Sequence, residues 1–150
     1  MDVLFGRPGD LDAWRALVRT VAPEFPGLET EADLEAHRQT VAKFIGRGEA
    51  LCVREGEAVV GVLLYSSKRN MICCLAVALE RRRLGIGDAL LTAALARLDR
   101  SRDITVSTFR DGDPKGVAPR RLYAKHGFEP RELTVEFDYP NQVFVLPAKG

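Results

Sequence analysis

The chain has 150 residues, enough for one compact domain that removes about two thirds of its unfolded surface from water. Lys+Arg 22 against Asp+Glu 21 leaves a formal charge of +1, so no overall field draws the molecule to DNA, RNA or an anionic membrane, and any anion site must be local. No apolar run approaches the roughly 20 residues that span a bilayer, and residues 1–10 lack the basic-then-apolar order of a signal peptide.

Residues 3–5 read as a short first strand. Arg7-Pro8-Gly9-Asp10 is a turn whose aspartate is placed to cap a helix from Leu11, with Leu11, Trp14, Val18 and Val21 as its apolar stripe. Pro23 disfavours helical geometry at Ala22 and ends that helix, and Pro26-Gly27 extend the loop. Thr30-Glu31-Ala32-Asp33 has the form of a capping box and opens a second helix, which turns Leu34, Val41, Phe44 and Ile45 to the core and stops at Gly46 and Gly48. Residues 51–54 and 58–65 are strand-like runs joined by Glu55-Gly56-Glu57, short enough for an antiparallel hairpin. Residues 71–77 are wholly apolar, as in a central strand.

The next segment, Glu80-Arg81-Arg82-Arg83-Leu84-Gly85-Ile86-Gly87, is basic and glycine-rich and leads into a helix carrying Leu90, Leu91, Ala94, Leu95 and Leu98. Residues 104–109 are a strand, 110–116 a polar loop, and 119–126 a helix with proline in its first turn and Gly127 just past its end. Residues 131–138 and 143–146 supply two closing strands. With no linker, repeat or low-complexity stretch, this order predicts one mixed α/β domain over residues 1–150.

A helix N-terminus leaves amide N–H groups without partners and carries partial positive charge, so it attracts a phosphate that can come close. Gly85 and Gly87 remove side chains at such an entrance, and Arg81, Arg82 and Arg83 add charge. No Gly-Lys-Ser/Thr follows, which excludes a P-loop, and Leu90 stands where a dinucleotide fingerprint needs glycine or alanine.

Leu75-Ala76-Val77 followed by Arg82-Arg83-Leu84-Gly85-Ile86-Gly87 resembles the signature of the GNAT acetyltransferases, an apolar strand leading to Q/R-x-x-G-x-G/A. Arg121-Leu122-Tyr123-Ala124-Lys125-His126-Gly127-Phe128 is similar to that family's second motif, a helix and its exit. The resemblance implies the GNAT fold, a central mixed and mostly antiparallel twisted sheet flanked by helices. It implies acetyl-coenzyme A as cosubstrate, with the loop amides of Arg83 through Gly87 on its pyrophosphate and the backbone of Leu75, Ala76 and Val77 beside its pantetheine arm. It also implies that the fourth and fifth strands splay apart to admit the thioester.

Acetyl transfer to an amine requires a neutral amine, stabilisation of an oxyanion and a proton for the departing thiolate. A phenol, with pKa about 10, keeps its proton at neutral pH and can give it to a thiolate whose thiol lies about 8.5. Tyr123 matches the family tyrosine that approaches the sulfur, and backbone N–H groups near Val77 would meet the oxyanion. Gly116 stands where relatives often carry asparagine, seven residues before Tyr123, and Pro119 replaces a common alanine. Residues 71–77 contain no carboxylate, so no general base is assigned.

Glu24, Glu29, Glu31, Asp33 and Glu35 cluster where the family shapes its acceptor site; they either attract a cationic amine or face solvent near a helix start. Adjacent strand residues point to opposite faces, so Cys73 and Cys74 read as small core residues rather than an acyl-cysteine pair. Trp14 reads as core, and His126 as a cation at a helix C-terminus. The three cysteines, Cys52, Cys73 and Cys74, are odd in number and lack CxxC spacing, which suits a reducing cytoplasm. Neither His37 nor His126 has a second ligand at metal-motif spacing, so no metal is assigned.

The reading that follows is transfer of an acetyl group from acetyl-coenzyme A directly onto a primary amine of a small molecule. The alternatives are a protein N-terminal or lysine acetyltransferase, and a coenzyme A-binding sensor without turnover. Exposed sheet edges in such a fold also allow a homodimer.

Overall fold

The computed structural model describes residues 1–149. In chain order the elements are β1 (Leu4–Phe5), α1 (Leu11–Val21), α2 (Glu31–Gly46), β2 (Ala50–Glu55), β3 (Ala58–Ser66), β4 (Met71–Val77), α3 (Ile86–Leu95), β5 (Ile104–Phe109), α4 (Val117–Lys125), β6 (Glu129–Glu136) and β7 (Tyr139–Leu146). The strands form one seven-stranded sheet in the order β1-β2-β3-β4-β5-β7-β6. Every neighbouring pair is antiparallel except β4 with β5. The core fills the space between sheet and helices, with Trp14, Leu17, Val18 and Val21 of α1, Leu90, Leu91 and Ala94 of α3, and Val62, Leu63 and Ile104 of the strands nearly inaccessible. No helix is long and apolar enough to cross a membrane among the described residues.

Two predicted helix starts fare differently. Thr30 forms the expected capping box: its side chain accepts from Asp33 N at 3.0 Å while Thr30 N donates to Asp33 Oδ2 at 3.1 Å. Asp10 does not cap α1 with its side chain. Its carboxylate accepts instead from Arg7 N at 2.7 Å and from Arg54 Nε at 2.8 Å, tying the chain before α1 to β2. A guanidinium offers two charge-assisted bonds, which outcompete a single helix amide.

The last strand is longer than the sequence suggests, and the one before it lies two residues earlier than expected. β7 begins at Tyr139 and runs through Pro140, which lies past the end of β5 and so displaces no ladder bond there, since Phe109 of β5 pairs with Asn141. Phe137 and Asp138, read from the sequence as strand, are the two turn residues, both at positive φ (53° and 59°). That is the twist a two-residue hairpin needs, formed here without glycine. α4 starts two residues earlier than expected, at Val117, leaving Pro119 still in its first turn.

β4 and β5 meet only at their beginnings. Met71 is paired with Thr105, Thr105 N donates to Asn70 O at 3.3 Å, and beyond that point the two strands have no mutual register among the described residues. Asn70, 1% exposed, holds this closed end. Its Nδ2 donates to Asp99 O at 2.9 Å and Asp103 O at 3.0 Å, and its Oδ1 accepts from Asp99 N at 2.8 Å. The residue sits at φ 52°, a region asparagine tolerates better than most side chains.

Asn70→Ala would strand those buried backbone groups, and a loss of about 2–4 kcal/mol is expected in urea unfolding. Arg54 lowers the Asp10 carboxyl from its ordinary 3.8 through a side-chain hydrogen bond, against a smaller opposing effect of burial. A depressed carboxyl contributes stability that is present above its unfolded value and lost as pH falls through the folded one. Asp10→Asn should therefore be less stable than the native chain at neutral pH, and the gap should close in unfolding curves taken below pH about 3.9.

Candidate active site

The gap between β4 and β5 opens toward the loop that enters α3. The β3-facing edge of β4 is paired from Met71 opposite Ser66 to Val77 opposite Gly61 with one interruption, but its β5-facing edge has no strand partner after Met71. One residue is extra: Leu64 pairs with Cys74 and Tyr65 with Ile72, leaving Cys73 unmatched. Such a bulge bends and twists its strand. It also interrupts the alternation that would send Cys73 and Cys74 to opposite faces, and Cys73 is exposed rather than a core residue.

The loop residues behave unequally. Gly85 is the N-cap of α3 at φ 84°, offers no side-chain cap, and has open space where a Cβ would stand. The first amides of α3 therefore face outward uncapped, at the positive end of a helix dipole. Gly87 serves a different need, because a Cβ there would lie 3.3 Å from Leu122 Cδ2, so it lets α4 pack closely on α3. Ile86 is buried against β3, whereas Arg82, Arg83, Leu84 and Gly85 are exposed.

Two of the three arginines are already engaged. Arg81 forms a forked pair with Glu55, with contacts of 2.6 to 3.0 Å. Arg82 forks onto Glu24 at 3.0 and 2.7 Å and reaches Val77 O at 3.4 Å. Arg83 stands at φ 65° with no ion pair among the described residues.

Tyr123 is 4% exposed, its ring wedged against Phe128 (5.6 Å between centroids) and Phe144 (6.3 Å). Burial, followed by the neighbouring Cys74, pushes its phenol far above the ordinary tyrosine range. Cys74 is itself pushed up to about 12, by burial and then by Cys73. An anion of either kind is thus penalised in this gap. Leu75 and Val77 are half-buried and Ala76 is buried, so the strand segment singled out from the sequence lies beside Cys74 on the same unpaired edge.

Gly116 has a packing cause: a Cβ there would come within 3.0 Å of Phe109 Cβ and 3.3 Å of Arg110 O, so asparagine has no room. His126 stands at the C-terminus of α4, and its Nε2 lies 2.9 Å from Asp88 Oδ1 in the first turn of α3. Lys125 Nζ lies 3.0 Å from the same oxygen, which fastens the two helices beside the loop.

The acidic cluster is not free. Glu24 is held by Arg82, Glu31 by Arg19 and Arg15, Glu35 by Arg15, and Asp33 by the capping box, while Glu29 accepts from Gly27 N at 3.1 Å. Sequence reasoning also passed over Phe137. A Cβ on Gly27 would lie 2.9 Å from its Cδ1, so this ring of the β6–β7 turn rests on the α1–α2 loop across the open end of the gap. The signal available was only the glycine at a loop position.

A family model described as an acetyltransferase (GNAT) domain matches residues 46–130, more than half of the chain. None of the curated proteins matches. Solved structures do. An N-acetyltransferase from Staphylococcus aureus is 16% identical with a TM-score of 0.76, over 97% of this chain and 100% of that one. A ribosomal-protein-alanine N-acetyltransferase from Brucella melitensis is 21% identical with a TM-score of 0.72, over 97% and 98%. The PaiA N-acetyltransferase from Thermoplasma acidophilum, solved in complex with coenzyme A, is 14% identical with a TM-score of 0.71, over 97% and 98%. Identities this low speak for the fold alone, and it is the match over residues 46–130, covering the splayed strand, the glycine loop and the tyrosine helix, that settles kinship: the chain belongs to the GNAT acetyltransferase family.

Proposed function

We propose that this protein transfers an acetyl group from acetyl-coenzyme A directly to the primary amine of a small molecule. The observation that carries the reading is the conjunction of an uncapped α3 N-terminus, with open space before Gly85, and a strand edge left unpaired beside a buried tyrosine. Acetyl-coenzyme A supplies the activated acyl group as a thioester.

The amides of Arg83, Leu84, Gly85, Ile86 and Gly87 would receive its diphosphate. Arg82 stands close enough to add charge once it exchanges Glu24 for phosphate. The unpaired edge at Leu75, Ala76 and Val77 offers N–H and C=O groups to the amides of the pantetheine arm, as an added strand would. Backbone N–H groups near Val77 would steady negative charge on the carbonyl oxygen.

Tyr123 is the proposed acid. Its raised pKa keeps it protonated at neutral pH, and the burial that raises it also makes a thiolate in the same place more basic, as Cys74 indicates. Glu31 is fully committed to arginines and Glu29 to the loop backbone, which leaves Glu24, freed when Arg82 turns to phosphate, as the remaining carboxylate of the acceptor side. Three free cysteines fit a reducing compartment, and we place the protein in the cytoplasm.

Titration calorimetry with coenzyme A and thiol release with acetyl-coenzyme A and an amine library test the reading. Binding without release across the library would favour a sensor, and acetylation of co-expressed proteins alone would favour a protein substrate. Gly85→Val strains a φ of 84° and fills the open space, and at least about a tenfold loss of coenzyme A affinity is expected in calorimetry. Tyr123→Phe should lower kcat by about 100-fold or more while leaving coenzyme A affinity nearly unchanged. Equal turnover in single-turnover assays would remove Tyr123 from the acid role.

A further inference from the structure

The guanidinium of Arg82 makes contacts on two sides. It forks onto Glu24, with Nη1 3.0 Å from Oε1 and Nη2 2.7 Å from Oε2, and it donates to Val77 O from Nε at 3.4 Å and from Nη2 at 3.5 Å. One side chain thus ties the glycine loop to the segment after α1 and to the last residue of β4. Ala78 N donates to Val60 O at 2.9 Å, and successive strand residues turn their N–H and C=O groups to alternate edges. Val77 O therefore looks away from β3, onto the edge of β4 that has no strand partner there. The guanidinium covers the last carbonyl of the edge assigned above to the pantetheine arm.

Glu24 has no other hydrogen-bond or ion-pair partner among the described residues. Its backbone is fixed, because Phe25 N donates to Ala22 O at 2.9 Å and Phe25 and Leu28 of the same segment pack on the core. The two side chains are 38% and 40% exposed, and a pair so open to water adds little to stability, which leaves it free to exchange. A diphosphate at the loop, carrying more charge than one carboxylate, offers the guanidinium stronger charge-assisted bonds. The exchange leaves an anion on a fixed segment without its counter-ion, and such a group attracts a cation.

Resting on the transferase reading above, we infer that the Arg82–Glu24 bridge is an autoinhibitory latch that couples the two substrates. Closed, it covers Val77 O and neutralises Glu24. When coenzyme A draws Arg82 onto its diphosphate, Val77 O is uncovered and Glu24 is released to hold the positive charge of a diamine acceptor. The nitrogen to be acetylated must be neutral, so the ammonium held by Glu24 is the other nitrogen of the same molecule. Such coupling is reciprocal: the factor by which coenzyme A tightens the acceptor is the factor by which the acceptor tightens coenzyme A.

Calorimetry tests this with coenzyme A, whose free thiol permits no turnover, and with a series of short α,ω-diamines from propane to hexane, each beside the monoamine of equal length. In the native chain, saturating coenzyme A should tighten the best diamine at least about tenfold and its monoamine by less than about twofold. Arg82→Ala should bind that diamine without coenzyme A as tightly as the native chain does with it, a gain that the loss of a merely structural contact would not give. Glu24→Gln should lose both the coupling and the preference for a diamine, and should bind coenzyme A about threefold tighter or more, because the loop arginine is no longer paired. No diamine preference in any pair, coupling retained in either variant, or coenzyme A bound no tighter by Glu24→Gln would each overturn the latch while leaving the transferase reading intact. Failure of coenzyme A to bind would overturn both. Coupling without thiol release from acetyl-coenzyme A would overturn the transferase reading alone.

Discussion

Two parallel strands that begin together and then part are the constraint on which this molecule is built. Backbone groups inside a sheet ordinarily satisfy one another, and separating β4 from β5 forgoes that along most of their length. The separation persists because it is anchored where it starts. Asn70 binds both flanks of the α3–β5 connection with directional hydrogen bonds, and the unmatched Cys73 interrupts the β3–β4 ladder just beyond. The elements of the proposed site border the resulting wedge: the outward amides of α3, the unpaired edge of β4 and the tyrosine of α4.

Electrostatics follow the same local logic. A chain with almost equal numbers of cations and anions carries little net charge, and several of them pair across the fold. Arg82 with Glu24 joins the glycine loop to the segment after α1, and Arg81 with Glu55 joins it to the β2–β3 turn. Such half-exposed pairs add little to stability. They fix where the loop stands, and they keep its arginines near the position an anion would take.

Much of this was legible in the residues. Alternation and apolar runs located β2 to β5, and the break from apolar strand to Arg-Arg-Leu-Gly-Ile-Gly identified the turn into α3 because glycine at a helix entrance has few other uses. Tyr123 could be named from its motif, but its near-complete burial could not, since that depends on Phe128 and Phe144 arriving from separate elements. The acids after α1 leave two readings open in the sequence for a related reason: composition reveals their number, while only the fold brings Arg15, Arg19 and Arg82 against them. The Cys73 bulge and the glycine-free hairpin at Phe137 and Asp138 left no local signal, because alternation is assumed when strands are read from sequence and both features violate it.

The wedge is fastened very differently at its two ends. Around Asn70 the attachment is polar, directional and dry. At the other end Phe137, 80% exposed, merely lies on the bare α-carbon of Gly27. Dispersion between a ring and a methylene has no preferred angle and a shallow well. The molecule is in this respect a pair of tweezers, rigid at the pivot and yielding at the tips, so that a guest of varying bulk can spread the jaws without disturbing the joint.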